Sequence, residues 1–206
     1  YQPIASFFGS ITLTLSGMIM VQLPHGALIQ GVSLLPWVMI STRRRWMALW
    51  SLVFSQQLLT GFPQAAFITL LFSGGYALWI RINVFRFALA VVLAFGLSAI
   101  QILPSWEFLK QTTVAGGIAP DTANYFSYPL KHLVTLVNPF ALGNPKFGTY
   151  PPFFSFDGSI FWENVGGIGF VPIVFFFVYL TLYLTRRVRV NLHLFFFIAM
   201  ITSFLL

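Results

Sequence analysis

The chain has 206 residues, 58% of them hydrophobic and only 7% charged, with a mean hydropathy of +0.85. A soluble domain carries roughly a quarter charged residues, so the composition argues against a water-facing globule and for an all-α, polytopic helical membrane protein. The net charge of +7 does not mark a nucleic-acid groove, because the Arg residues punctuate apolar runs instead of forming a stripe, and no nucleic-acid partner is expected. With no Cys in the chain, disulfide and thiolate chemistry are excluded.

In chain order, about seven spans are predicted. The first, Ile4 to Val21, ends at QLPHG (Gln22–Gly26) and carries Ser6, Ser10 and Thr14 at four-residue spacing, a small polar stripe suited to close packing. The second, Ala27 to Thr42, contains Pro36, which bends a helix, and ends at Arg43, Arg44 and Arg45. The third, Trp46 to Thr60, turns at GFPQ (Gly61–Gln64) into the fourth, Ala65 to Ile80. Gly closing one helix and Pro opening the next is the expected asymmetry. Arg81 and Arg86 precede the fifth, Phe87 to Leu103, whose Ala90, Ala94 and Ser98 form another small stripe. Pro104 is expected to disturb its last turn.

A loop follows from about Lys110 to Trp162, and the sixth span, Val165 to Leu184, leads to Arg186, Arg187 and Arg189. The seventh starts at Leu192 and runs to the chain end. The expected organisation is one membrane domain, with five spans in 1–109, an outer loop in 110–163 and two spans in 164–206. The chain opens on Tyr1, closes within an apolar run at Leu206 and shows no cleavable leader, so a piece of a longer polytopic protein is expected. Several spans hold only about fifteen to eighteen residues, roughly 22–27 Å of helix against an apolar core near 30 Å. Flanking residues or local thinning must supply the difference.

The positive-inside rule places the Arg43 triplet in the cytoplasm. Alternation of spans then brings all eight Arg to that side, and the three Lys and four acidic residues to the other. Seven of the eight Gln residues, all except Gln2, fall on the outer side. A single amide in the outer membrane half is explained by interhelical hydrogen bonding. Their joint bias is better explained by a wet cavity opening outward. The expected location is therefore the cell membrane, multi-pass, with the long loop outside.

Within that loop, Leu130, Leu133, Val134 and Val137 follow i, i+3, i+4, i+7, while Lys131, His132, Thr135 and Asn138 occupy the other side. A short interfacial amphipathic helix is predicted, with Ser127 as cap and Pro129 in its first turn. Lys131 and His132 suit either lipid phosphates or a diphosphate substrate. From Phe140 to Trp162 the run of Gly, Pro and aromatics fits both interfacial anchoring and stacking on sugar rings.

Glu107, Asp121, Asp157 and Glu163 are the only carboxylates. Glu107 and Glu163 sit at helix ends flanking the loop and are the weak catalytic candidates. Glu107 also suits pairing with Lys110 at i, i+3, Glu163 suits a helix N-terminus, and Asp157 before Gly158 reads as a turn residue. His25, at a helix-joining turn, is either a turn residue or a site group. The three His show no metal-ligand spacing, so no metal site and no cofactor are identified, and this segment gives no support to a divalent metal. Gly166, Gly167 and Gly169 open a helix with no strand before them, unlike a dinucleotide fingerprint.

Taken in order, LSG near Leu15, QLPHG, LLPWV (Leu34–Val38), LLTGFPQ (Leu58–Gln64), QILPSWEFL (Gln101–Leu109), SYPLKHLVTLVNP (Ser127–Pro139), GNP (Gly143–Pro145) and FWENVGGIGFVPIV (Phe161–Val174) resemble the YfhO family of bacterial membrane proteins. That family is similar to membrane glycosyltransferases of the GT-C fold. One departure is Phe62, where the family pattern favours His. The resemblance implies transfer of a sugar from a polyprenyl-phosphate donor to an envelope glycopolymer or lipid acceptor on the outer face. It implies that the catalytic carboxylate lies in a first outer loop upstream of Tyr1. It also implies that His25, Gln64, Gln101, Glu107, Glu163 and Asn164 are cavity or loop-positioning groups. Lys131 and His132 are further substrate-binding candidates from the loop's own residues, Lys131 as the cation this segment offers for a departing phosphate. A transporter or flippase for a lipid-linked or envelope precursor is the alternative. It predicts mid-membrane charges, which the sequence lacks, and discontinuous helices at repeat-related positions. A noncatalytic membrane scaffold is the third reading.

Overall fold

A computed structural model describes residues 3–15, 19–20, 22–113, 115–117, 130–151, 161, 174, 177–178, 180–181 and 184–185. The described residues are all helical in architecture, without a strand. They fall into two compact units. One comprises the described parts of Tyr1–Pro24 and Gly117–Arg189; the other comprises those of His25–Gly116.

The second unit holds α2 (Gly26–Arg44), α3 (Met47–Leu59), α4 (Pro63–Trp79), α5 (Val84–Leu97) and α6 (Ala99–Leu109), after α1 (Pro3–Thr14) in the first unit. The breaks fall where local chemistry puts them. Arg45 and Gly61 take left-handed conformations after α2 and α3, with φ of 60° and 75°. Pro63 opens α4, where its missing N–H leaves no bond unmade. The Asn83 side chain caps α5 by accepting from the Arg86 N–H at 3.1 Å. Helix α2 continues through Pro36 without ending.

The core of this unit is Val38, Trp50, Phe54, Ala66, Ala90 and Ala94. Trp50 stacks on Phe54 with ring centroids 4.8 Å apart and tilts against Phe87 at 5.0 Å. The Ala90–Ala94–Ser98 stripe is buried as expected. Its small side chains let α3 come close enough for the Ser51 hydroxyl to donate to the Ala90 carbonyl at 2.9 Å. The stripe on α1 behaves differently. Ser10 and Thr14 donate to the carbonyls of Ser6 and Ser10 in their own helix, and all three residues of the stripe stay exposed.

The fifth predicted span is not one helix. α5 and α6 meet at Ser98 with a bend of 74°. The buried Ser98 hydroxyl donates to the Ala94 carbonyl at 2.8 Å and lies 3.3 Å from that of Phe95. Such back-bonding opens the regular ladder and bends a helix. The disturbance therefore comes six residues before Pro104, which lies inside α6. Among the described residues, no single helix is long and apolar enough to cross a membrane, whereas the bent α5–α6 pair passes that test of length and composition jointly.

Candidate functional site

One of the predicted site residues, Gln101, approaches the α3–α4 turn. Gly61 takes its left-handed conformation there, and a Cβ on it would lie 3.4 Å from Gln101 Nε2. Gln101, from the first turn of α6, is thus held against the residues that lead into Gln64. The 74° bend at Ser98 is what carries it there. Gln64 itself, next to Pro63 in the first turn of α4, is exposed.

Beneath the turn lies a buried amide that the predicted site did not include. Gln57 is fully buried. Its Nε2 donates to the Gly31 carbonyl of α2 at 2.7 Å and to Thr69 Oγ1 of α4 at 2.8 Å. Three helices share this one side chain. Gly31 makes the approach possible, because a Cβ there would sit 3.2 Å from Ala65 Cβ and 3.4 Å from Thr60 Oγ1. Gln57 Oε1 has no hydrogen-bond partner among the described residues. Gln56 and Gln57 are equal in sequence, and α3 is apolar around most of its circumference, so periodicity does not tell which of the two faces inward.

His25 stands at the N-cap of α2. Its carbonyl accepts from the N–H groups of Leu28 and Ile29 at 3.1 and 3.2 Å, while its imidazole makes no cap bond and is exposed. It lies six residues, about 9 Å of helix, before Gly31. Glu107 is exposed on α6. At 100° per residue it is turned about 120° around that helix from Gln101, so the two do not share a face. The expected partner Lys110 instead carries its ammonium 5.7 Å from the centroid of the Trp106 ring. Among the described residues Glu107 has no ion pair.

In the first unit, residues Leu130–Leu136 form a 3-10 segment rather than an α-helix. Its polarity is opposite to that of a helix resting its apolar face on protein. His132 and Thr135 are buried and Thr135 Oγ1 donates to the His132 carbonyl, while Leu130, Leu133 and Val134 are exposed. Lys131 is exposed, so the Lys131–His132 pair is split between surface and interior. Burial, and after it the charge of Lys131, holds the His132 imidazole below its ordinary pKa of 6.5. The neutral ring is therefore the favoured form.

The Gly143–Asn144–Pro145 sequence makes a closed turn. Asn144 Oδ1 accepts from the Lys146 N–H at 2.9 Å, and Thr149 Oγ1 accepts from the Asn144 N–H at 2.8 Å. Gly143, at φ 113°, permits this, since a Cβ would overlap the Thr149 backbone. Beyond it, Phe161 stacks on Phe140 at 6.0 Å and takes Tyr150 edge-on at 5.1 Å. These aromatic residues of the loop contact one another. Asp121, Asp157, Glu163 and Asn164 lie outside the described residues, as do Ser127, Pro129 and the Gly166–Gly169 cluster. Among the described residues, no three His, Asp or Glu side chains are grouped to hold a metal ion.

The His25–Gly116 unit therefore has two chemically distinct ends. One gathers Gly31, Gln57, Thr60, Gly61 and Gln101. The other carries Arg45, whose Nη2 donates to the Ile80 carbonyl at 3.1 Å. Comparisons of the chain with protein-family models, with curated proteins and with solved structures return no match.

Proposed function

We propose that this chain is part of a polytopic membrane glycosyltransferase acting on the outer face of a cell membrane, with a polyprenyl-phosphate-linked sugar as donor and an envelope glycopolymer or lipid as acceptor. The observation that carries the membrane part is the distribution of polarity. Among the described residues eleven polar side chains are buried against ten hydrophobic ones, while Trp37, Leu71, Leu78, Phe85, Val92 and Ile100 lie more than half exposed. Water would penalise that arrangement on both counts. Lipid favours it, since an apolar exterior costs nothing there and buried hydroxyls and amides bond between or along helices.

The separation of ends supports the orientation. Arg45 joins the two Arg-bearing connections at one end, and Gln57, Gly61 and Gln101 gather towards the other. Amides close to an outward-opening surface suit hydroxyl-rich ligands. Sugar transfer rests on the resemblance to the YfhO family together with this amide-lined end. In that chemistry a carboxylate deprotonates the acceptor hydroxyl and a cation stabilises the departing phosphate. Within the His25–Gly116 unit, Glu107 is the described carboxylate available for a supporting role; in the other unit, exposed Lys131 is the cation the sequence offers for donor binding.

Full-length protein in liposomes, given a radiolabelled polyprenyl-phosphate sugar, is expected to move label into an envelope acceptor. Lys131→Ala is expected to raise the apparent donor KM about tenfold, the loss of one charge-assisted hydrogen bond. Unchanged transfer and donor binding in that variant would remove Lys131 from the site. A transporter or flippase is the second reading, favoured by one observation. The 74° break between α5 and α6 is the kind of discontinuous helix that transporters place at a binding site. Accumulation of substrate in vesicles without transfer would select it.

A further inference from the structure

Two connections of the His25–Gly116 unit close in the same way. After α2, the Trp46 N–H donates to the Ser41 carbonyl at 2.9 Å, and after α4 the Ile82 N–H donates to the Ala77 carbonyl at 2.8 Å. Each is the six-to-one bond of a helix end whose penultimate residue is left-handed, the position that Gly usually fills. Here it is filled by Arg45 and Arg81, with φ of 60° and 55°. Backbone geometry alone favours Gly at both. A cation at a helix C-terminus is favoured by the macrodipole, yet that needs one charge near each end, and this end carries Arg43, Arg44, Arg45, Arg81 and Arg86. All five are exposed. The bond from Arg45 Nη2 to the Ile80 carbonyl, 3.1 Å, draws the two connections together. No Asp or Glu occurs before Glu107, so α2 to α5 supply no counter-charge.

The surroundings narrow what can supply it. Trp46 and Trp79 are exposed beside the two connections, and the Arg44 guanidinium lies 6.0 Å from the centroid of the Trp46 ring. Apolar side chains begin within a turn or so of the arginines on every helix: Ile40 on α2, Leu49 on α3, Leu78 on α4 and Phe85 on α5, all exposed. A ligand matching this end has an anionic head directly joined to an apolar body. A nucleic acid offers the phosphates without the apolar body. We propose that the two Arg-bearing connections form one docking site for the phosphate headgroup of anionic phospholipid, with Trp46 and Trp79 at headgroup depth. This inference rests on the membrane reading above.

The test uses the full-length protein purified in mixed phosphatidylcholine–phosphatidylglycerol micelles, with the retained lipids weighed against the bulk ratio by mass spectrometry. Wild type is expected to enrich phosphatidylglycerol. Arg81→Gly and Arg44→Gln should each lower the enrichment roughly fivefold at low salt, as expected for one surface charge against an anionic headgroup. Arg81→Lys should keep most of it. A purely structural Arg81 predicts the opposite pattern: Gly, which suits the left-handed position, would raise or hold the melting temperature and leave the lipid ratio unchanged. That result overturns the proposal, as does equal retention of both lipids by wild type. Loss of duplex-DNA binding in the variants with lipid ratios unchanged overturns it in favour of nucleic acid. Alkaline carbonate washing of membranes separates the two levels of failure. Protein released to the supernatant sinks the membrane reading and the docking site with it, whereas protein kept in the pellet without lipid selectivity sinks the docking site alone.

Discussion

The amide of Gln57 ties α2, α3 and α4 together through the Gly31 carbonyl and the Thr69 hydroxyl. Replacing it with Leu leaves a buried carbonyl and hydroxyl without that donor. A loss of about 1–2 kcal/mol is expected, at the upper end of what single interhelical hydrogen bonds contribute in membranes. Denaturant titration in detergent, followed by Trp fluorescence, measures it. His132 makes a prediction with a definite sign. Its folded-state pKa is lowered, first by burial and second by Lys131, so the unfolded chain binds the proton more readily than the folded one. The stability this ring contributes is full above its ordinary pKa of 6.5 and declines as pH falls through that value towards the lower folded one. Amides of Leu130–Leu136, corrected for intrinsic rate, should therefore exchange faster below pH 6.5, and His132→Gln should remove the acid-dependent part.

At the scale of elements, close approach is set by small residues. Ala90 and Ala94 let α5 lie against α3, where Trp50 and Phe54 fill the remaining space. Ala94→Leu adds three carbons where there is no room, and a cost of about 2–3 kcal/mol is expected from overpacking. It should also broaden the Trp50 environment, read as a red shift and lower melting temperature. Ser98 decides a different property, the direction in which the chain leaves α5. Its back-bonded hydroxyl sits at the 74° bend, so Ser98→Ala should widen the distribution of spin-label distances between the two arms. An unchanged distribution would move the cause of the bend elsewhere. The helix bounds were legible from punctuation: Gly61 then Pro63 for the α3–α4 turn, and Arg residues after α2 and α4. The bend was not, because Pro104 offered the stronger local signal and Ser98 acts through a bond to its own helix that many serines make without consequence.

For the molecule at large, what matters is that, among the described residues, buried polar side chains are at least as many as buried apolar ones while many large apolar side chains are exposed. If lipid is the solvent of the α2–α5 exterior, then substituting an exposed Leu such as Leu71 or Leu78 by Asp should impair membrane insertion. The same change on a water-facing surface would be neutral or would improve solubility. Carbonate-resistant membrane fraction per unit of protein synthesised is the measure. A comparable fraction for variant and wild type would contradict the proposed environment.

From its residues alone this chain specifies helices and most of the turns between them, because conformational preference and turn chemistry act over a few residues; the break at Ser98 and the exposure of the α1 stripe were not legible there. Its charge asymmetry likewise sets arginines apart from carboxylates along the chain. Folding in three dimensions chose what those local rules leave free. It buried Gln57 and not Gln56, brought Gln101 beside Gly61, split Lys131 from His132, and turned the 130–136 segment so that its imidazole faces inward and Leu130 and Leu133 outward. For Gln57 the physical reason is that α3, apolar around most of its circumference, has no preferred inward face, so the neighbours it packs against make the choice. For the 130–136 segment the alternation of polar and apolar residues is plain in the sequence, and what covers each side is decided only by the fold.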